Sequence, residues 1–216
     1  MIFLTAFFAV RISYQIKYPV ASGIFDMKWL RNGEIRRRVR VMSISMIGID
    51  HNMAPVDIRA KFAFTKKNAG EAMEKIKNEN GIYGCVILST CNRLEVWASV
   101  DDEEDVCLYD CLCRIKGITE DSYRQYFVER KDQEAVEHLF YLTSGLKSQI
   151  IGEDQILTQV KDALNLAREN FAADGVLEVL FRMAATAGKR IKTEVPFSHG
   201  NPSVIHQAIG DRKSVV

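Results

Sequence analysis

The order in which strand-like and helix-like apolar patterns follow one another between residues 42 and 129 constrains the fold of this chain most. Short β-rich or alternating runs predict strands, and apolar residues that recur every three to four positions predict helices. The predicted order is strand, helix, strand, strand, helix, strand, at residues 42–50, 65–78, 83–88, 94–100, 103–116 and 123–129. This order is typical of a ferredoxin-like βαββαβ layer, and it predicts an α+β fold.

From residue 131 onward the apolar residues follow the helical period throughout. Thr65 and Asp132 are candidate N-caps of two predicted helices, and Gly117 and Gly145 each follow the last turn of one. The three helices predicted in this second half lie at residues 133–144, 154–171 and 176–195. We therefore expect a helical bundle that packs against the sheet layer, with the third helix as a long exit helix.

These patterns divide the chain into four segments, of which the first differs from the rest. Residues 1–41 begin with an apolar run and end in a basic cluster, with eight Lys and Arg residues against two acidic ones. We treat this segment as an extension of uncertain structure: it is either a real extension or lies upstream of a true start at Met42 or Met46. The other segments are a ferredoxin-like subdomain at 42–130, a helical subdomain with the start of a linker helix at 131–195, and a truncated tail at 196–216.

Charge, apolar runs and cysteine count exclude several classes of protein. The net charge is +1, and without the basic first 41 residues the rest sums to −5, which argues against a general electrostatic grip on nucleic-acid phosphates. No apolar run reaches the roughly 18 residues that a membrane span needs. Five cysteines, an odd number, favour a reducing, cytoplasmic compartment over a disulfide framework. Neither a zinc-ligand spacing nor the dinucleotide fingerprint Gly-x-Gly-x-x-Gly occurs, so we expect no metal and no cofactor site in this chain.

The connection between the second and third predicted strands concentrates reactive side chains. It reads Ser89-Thr90-Cys91-Asn92-Arg93. An ordinary cysteine has a pKa near 8.5, so only about 3% is thiolate at neutral pH unless a nearby cation lowers that pKa. Arg93 is a local candidate for this cation, and its guanidinium could equally hold a substrate carboxylate. The alternative is a turn whose polar side chains cap the strand ends and whose Cys91 is an inert small residue.

A second concentration of polar residues lies between positions 138 and 159. His138 is on a predicted helix, where a lone histidine is more often structural than catalytic. Residues 144–157 then combine a glycine-bounded loop with acidic residues at the mouth of a helix. Glu153 or Asp154 could serve chemistry there or simply cap the helix.

Taken together, the motifs of this chain resemble those of the glutamyl-tRNA reductase family. They read GIDH at 48–51, APV at 54–56, IR at 58–59, STCNRLEVW at 89–97, HLF at 138–140, SGL at 144–146, GEDQIL at 152–157, QVK at 159–161 and GKRIKTE at 188–194. The resemblance covers about residues 46–204, in order and without large gaps. Several motifs in register are much more specific than any single one.

The resemblance implies NADPH-dependent reduction of glutamyl-tRNA to glutamate-1-semialdehyde, the first committed step of tetrapyrrole synthesis. It makes Cys91 the nucleophile that takes the glutamyl group as a thioester, and it links His138 to activity through proton transfer or positioning. Arg93 then binds the glutamate side chain or transition-state charge, and Glu153 the α-ammonium. The substrate contacts that it implies are Thr90, Asn92, Arg93, Ser148, Glu153, Asp154, Gln155 and Gln159.

The chain also departs from the family pattern. Lys147 stands where the family usually has Asp, and Asp154 where Pro is common, which bears on the local loop geometry. Residues 211–216 do not resemble the expected continuation, so we expect a reading frame that ends before the family's NADPH-binding domain and dimerisation region.

The partners that the resemblance implies are glutamyl-tRNA, a second copy of the full-length chain and the aminomutase that acts next. Two alternative functions stay open. The first is a Cys/His acyl-transfer or esterase-like protein without a redox partner. The second is a fragment that binds glutamyl-tRNA without turning it over.

Overall fold

The computed structural model describes residues 27–31, 34–38, 42–119, 121–146 and 155–194, and within these ranges the chain forms six strands and six α-helices. The strands are β1 (Met27–Arg31), β2 (Glu34–Arg38), β3 (Met42–Asp50), β4 (Ile82–Ser89), β5 (Arg93–Asp101) and β6 (Val128–Lys131). The helices are α1 (Val56–Phe62), α2 (Lys66–Lys77), α3 (Leu108–Lys116), α4 (Asp132–Thr143), α5 (Gln155–Glu169) and α6 (Gly175–Glu194). A 3-10 helix, Asp121–Tyr126, precedes β6.

Four of the strands form one antiparallel sheet. β3 lies between β5 and β6, and β4 pairs with the other side of β5, so the sheet order is β4-β5-β3-β6. This is the order of a ferredoxin-like layer in which the first strand is central, and it confirms the predicted α+β fold. β1 and β2 form a separate antiparallel hairpin in the segment for which the sequence predicted no definite structure.

The helices cover the sheet and share one hydrophobic core with it. α2 and α3 pack against β4 and β3, while α4 and α6 cover the face that carries Trp97 of β5. The Trp97 ring stacks on the ring of His138 in α4 at 6.0 Å between centroids, and meets Phe181 of α6 edge-on at 5.6 Å. The sheet face that carries Trp97 is therefore closed by the helical half of the chain.

Local end signals set several helix bounds as predicted. Thr65 Oγ1 accepts a hydrogen bond from Asn68 N at 3.3 Å, so Thr65 is the N-cap of α2. Gly117 and Gly145 follow α3 and α4 with φ angles of 65° and 81°, the left-handed conformation that glycine adopts without strain.

The prediction of one strand over residues 123–129 is wrong. The 3-10 helix occupies most of that segment, and sheet pairing begins at Val128. The rings of Tyr123 and Phe127 pack edge-on against Phe62, at 5.7 Å and 4.9 Å between centroids. Burial of these aromatic rings against α1 therefore replaces strand pairing here.

Two predicted helix starts also differ. α3 begins at Leu108 rather than Glu103, because the N–H of Glu103 donates to Asp101 Oδ1 at 3.2 Å in a turn that follows β5. Asp132 is the first residue of α4 and does not cap it. Its Oδ1 accepts the N–H of Ile44 in β3 at 3.1 Å instead, which ties the start of α4 to the sheet.

Two features of the fold were not indicated by periodicity. α1 is only seven residues long, begins after Pro55 and buries Phe62. The edge of β4 is covered by the α5–α6 connection, because the N–H of Cys85 donates to the carbonyl of Ala172 at 2.9 Å.

None of the described helices is both long and apolar enough to cross a membrane.

Candidate functional site

The tight turn between β4 and β5 presents Cys91 to solvent. Thr90 holds this turn together, because its N–H donates to the carbonyl of Arg93 at 2.8 Å. The Thr90 Oγ1 also accepts the N–H groups of Asn92 and Arg93, at 3.2 Å each. Two of the predicted substrate contacts, Thr90 and Asn92, therefore flank the predicted nucleophile in one hydrogen-bonded unit.

The five cysteines differ in exposure. Cys91 is exposed and Cys107 half-buried, whereas the other three are buried: Cys85, Cys111 and Cys113. Burial raises the pKa of each of these three buried thiols above its ordinary value. They stay protonated at neutral pH, which leaves the exposed Cys91 as the most accessible thiol and the half-buried Cys107 as the next.

A buried polar network begins with Arg93 at the start of β5. Arg93 Nη1 donates to Glu95 Oε1 at 3.0 Å, and the same oxygen lies 2.9 Å from Nε2 of His138 on α4. The second carboxylate oxygen, Oε2, accepts the Trp97 indole N–H at 3.2 Å. The side chains of Arg93, Glu95 and His138 are only 3%, 3% and 7% exposed.

Glu95 is the residue that sequence reasoning missed. It joins Arg93 to His138, two residues that the sequence had singled out separately. The signal was present in the strand period, because Arg93, Glu95 and Trp97 alternate along β5 and so share one face of the sheet. The buried polar groups of these three side chains need hydrogen-bond partners, and His138 is the partner that α4 supplies.

The charges of this network stabilise the ionised form of Glu95. Burial on its own raises the pKa of this carboxyl, but the charge and hydrogen bond of His138, and then those of Arg93, more than reverse that effect and bring the pKa to about 2. Glu95 is therefore a carboxylate at neutral pH. The positive charge of Arg93, predicted to act on Cys91 or on a substrate, is engaged by Glu95.

The same contacts orient the ring of His138. Nε2 faces Glu95, and the ring plane stacks on Trp97 at an angle of 24°. The other ring nitrogen, Nδ1, is buried and has no hydrogen-bond partner among the described residues. A histidine held through one nitrogen in this way can exchange a proton through the other.

The remaining predicted contacts lie on or before α5. Gln155 is exposed at the first residue of α5, and Gln159 is half-buried one turn later. Gln159 lines a crevice of about 310 Å³ between α2 and α5, together with Ser89 at the end of β4. The structure therefore places Gln159 toward the end of β4 that leads into the Cys91 turn. The predicted contacts Ser148, Glu153 and Asp154 lie outside the described residues.

Comparison with known proteins identifies the family. The family model described as glutamyl-tRNAGlu reductase, N-terminal domain, matches residues 47–195, more than half of the chain. This chain belongs to the glutamyl-tRNA reductase family. The matched residues include the Cys91 turn, the Glu95 network and all of helices α1 to α6.

Individual glutamyl-tRNA reductases agree with this assignment. The enzyme so named from Alkaliphilus oremlandii is 42% identical over 170 residues, which cover 78% of this chain and 50% of that protein. One from Acetivibrio thermocellus is 42% identical over 174 residues, covering 80% and 52%. The solved glutamyl-tRNA reductase from Methanopyrus kandleri superposes with a TM-score of 0.63 at 33% identity, covering 79% of this chain and 39% of that one. The chain spans about half the length of these two curated relatives.

The residues described here do not fit the NADPH that the glutamyl-tRNA reductase family implies. A nicotinamide dinucleotide is held where a parallel strand turns through a glycine-rich loop into a helix. Every pairing in the described four-stranded sheet is antiparallel. Within the same residues, no group of three or more His, Cys, Asp or Glu side chains is placed to hold a metal ion.

Proposed function

We propose that this chain is the acyl-accepting part of a glutamyl-tRNA reductase, in which Cys91 takes the glutamyl group from glutamyl-tRNA as a thioester. In the whole protein this step would precede NADPH-dependent reduction to glutamate-1-semialdehyde, the first committed step of tetrapyrrole synthesis. One observation carries the proposal. The exposed Cys91 sits on a turn that leads directly into the buried network of Arg93, Glu95 and His138.

The proposed step exchanges an oxygen ester for a thioester. The Cys91 thiol first loses its proton, and the thiolate sulfur attacks the carbonyl carbon that joins glutamate to the terminal ribose of the tRNA. A carbon–sulfur bond forms, the carbon–oxygen bond to the ribose breaks, and the departing ribose oxygen takes up a proton. The step therefore needs a group that accepts one proton and returns one.

His138 is the candidate for this proton transfer or for positioning the groups that carry it out. Its Nε2 lies 2.9 Å from Oε1 of Glu95, which fixes the ring and leaves Nδ1 as the nitrogen for proton exchange. The principle is the one by which a buried carboxylate supports a catalytic histidine in other nucleophilic enzymes. Glu95 acts through His138 and is thus a positioning residue.

Substrate binding in this proposal uses the side chains around the turn. Thr90, Asn92, Gln155 and Gln159 offer hydroxyl and amide groups to the glutamyl moiety. Arg93 stays the proposed contact for its carboxylate, although Nη1 of this guanidinium is committed to Glu95.

The test follows the fate of labelled glutamate. The 216-residue chain is mixed with tRNA charged with labelled glutamate, quenched in acid, and assayed for label on the protein, free glutamate and NADPH absorbance in parallel. We expect hydroxylamine-sensitive label on the protein, slow release of glutamate by water, and no NADPH consumption. Cys91→Ser should carry no label. Cys107→Ser is the matched control, since Cys107 is the next most accessible thiol, and it should behave like the unmodified chain.

The outcomes separate the proposal from its alternatives. Label that persists in Cys91→Ser would contradict the nucleophile. Rapid multiple turnover to glutamate would favour the acyl-transfer or esterase-like function, and tight tRNA binding without label would favour a binding fragment. Semialdehyde formation would mean that a cofactor site exists in the chain.

A dimer, the aminomutase partner and a cytoplasmic location stay predictions for the whole protein.

A further inference from the structure

Residues 90–92 of the Cys91 turn receive a hydrogen bond from outside their own hairpin, from the side chain of Arg59. Nη1 of Arg59, on α1, donates to the carbonyl of Asn92 at 3.1 Å. The other hydrogen bonds of residues 90–92 among the described residues stay within the hairpin and are made by Thr90. Just before them, Ser89 Oγ accepts the N–H of Phe64 at 2.9 Å. Among the described residues, the bond from Arg59 is the only hydrogen bond that ties residues 90–92 to a part of the chain beyond β4 and β5.

Arg59 reaches the turn from a fixed support. α1 is anchored by Phe62, which is fully buried and packs edge-on against Tyr123 and Phe127. Phe62 lies three residues after Arg59, so the two side chains project from neighbouring positions on the helix surface. The aromatic cluster therefore holds the helix in place, and the helix delivers the guanidinium to Asn92.

The charge of Arg59, unlike that of Arg93, has no ion-pair partner among the described residues. Arg93 is paired with Glu95 at 3.0 Å. Arg59 is half-buried and forms no ion pair with any carboxylate of the described residues, and its Nε is buried without an acceptor among them. A guanidinium is always charged, so Arg59 places a positive charge beside the turn. No ion pair in the described part of the chain neutralises this charge.

We infer that Arg59 is a positioning residue for the Cys91 thiol, and this inference rests on the proposed function of Cys91 as nucleophile. Its bond to Asn92 holds the turn in the conformation that presents the sulfur. Its positive charge favours the negative charge that develops on the ester during attack. Arg59 acts through Asn92 and through its field, and it touches neither the sulfur nor the substrate in this assignment.

The test compares two variants of Arg59 with a matched control. Arg59→Met removes the charge and the donors at similar length, and Arg59→Lys keeps the charge and a single donor nitrogen. Arg182→Met is the control, because Arg182 is a helical arginine that is 67% exposed and lies 4.0 Å from Glu178 on its own helix. Each protein is measured for iodoacetamide alkylation of individual cysteines by peptide mass spectrometry. Single-turnover acylation by glutamyl-tRNA is measured over a range of tRNA concentrations.

We expect Arg59→Met to lower the maximal acylation rate about tenfold, the effect of losing one hydrogen bond from a charged donor. The concentration of glutamyl-tRNA that gives half the maximal rate should change less than about twofold, because positioning acts on the attack rather than on binding. Alkylation of Cys91 should slow in the same variant. Arg59→Lys should be intermediate in both assays, and Arg182→Met should match the unmodified chain.

Three results decide the matter. Unchanged alkylation and acylation in Arg59→Met would overturn the inference. If Arg59→Met also makes the buried Cys85 reactive, the fold has opened in that variant, and Arg59→Lys becomes the test. Slower alkylation of Cys91 in Arg59→Lys, with Cys85 still protected, supports the inference. Alkylation of Cys91 in Arg59→Lys at the rate of the unmodified chain overturns it. Label on Cys91→Ser would instead overturn the proposed nucleophile, whatever the Arg59 variants show.

Discussion

Replacing Glu95 by glutamine tests whether the buried network stabilises the fold as its geometry indicates. The substitution keeps the size of the side chain and removes its charge. Arg93 and His138, which are 3% and 7% exposed, then lose the carboxylate that both of them contact. Breaking a buried ion pair by removing one partner costs about 3–5 kcal/mol, because the other charge stays buried without compensation. We expect the lower end, since the glutamine can still accept and donate hydrogen bonds.

The pKa of Glu95 gives an independent magnitude for the same effect. Its fall from the ordinary 4.5 to about 2 corresponds to stabilisation on the order of 3 kcal/mol. Because the folded-state pKa lies below the ordinary one, this contribution is complete above about pH 4.5 and disappears as the pH falls toward 2. Glu95→Gln lacks the titrating group, so its stability should fall less than that of the unmodified chain between these pH values.

Thermal unfolding followed by circular dichroism measures both effects. For a chain of about 150–250 residues, 1 kcal/mol shifts the Tm by about 2–4 °C, so Glu95→Gln should melt roughly 6–12 °C lower at pH 7. The matched control is Glu178→Gln, which breaks the pair of Glu178 with Arg168 at 2.5 Å where both side chains are partly exposed. Such a surface pair contributes about 1 kcal/mol or less.

Two results would refute the reasoning about Glu95. The first is a Tm drop for Glu95→Gln no larger than that of Glu178→Gln. The second is a difference between Glu95→Gln and the unmodified chain that stays the same from pH 7 to pH 2. A double variant, Arg93→Met with Glu95→Leu, adds a further check. It removes both buried charges and should recover part of the lost stability, because apolar replacements of a buried pair are often tolerated.

Two further substitutions test local packing and capping by the same unfolding measurement. In Gly188→Ala, the new methyl group would lie 2.4 Å from the carbonyl oxygen of Thr143, so we expect stability to fall by roughly 1–3 kcal/mol. The control is Gly175→Ala, which has nothing within 4 Å and should be neutral or slightly stabilising. Equal Tm values for the two variants would contradict the close approach of α4 and α6. Thr65→Ala removes the side chain that accepts the N–H of Asn68 and should cost about 1 kcal/mol, while Thr65→Ser should restore most of it.

Much of the architecture could be predicted from the sequence because it is encoded over short stretches. The strand at residues 42–50 has the predicted bounds, and α2 begins after its predicted N-cap, Thr65. Both depend on residues within a few positions of one another, through alternation, period and capping. The segment at 123–129 was predicted wrongly for the opposite reason. Its aromatic residues look like a strand locally but pack against Phe62, more than 60 positions earlier.

The candidate site divides in the same way. The turn Thr90–Arg93 and the position of Cys91 within it could be predicted, because the two flanking strands and the polar residues between them are contiguous in the sequence. That Cys91 is the exposed thiol of the five could not, since exposure depends on which helices cover each strand. Cys111 and Cys113, for example, both lie on α3 and are both buried.

The sequence by itself determined the α+β order of elements, the family and the position of Cys91, because periodicity and contiguous motifs record all three. Only the tertiary structure decided that Glu95 and His138, 43 positions apart, share a buried hydrogen bond, and that Arg59 reaches the carbonyl of Asn92, 33 positions away. The physical reason is that a buried charge is tolerated only when another element supplies its partner. Local sequence patterns do not record which element that is.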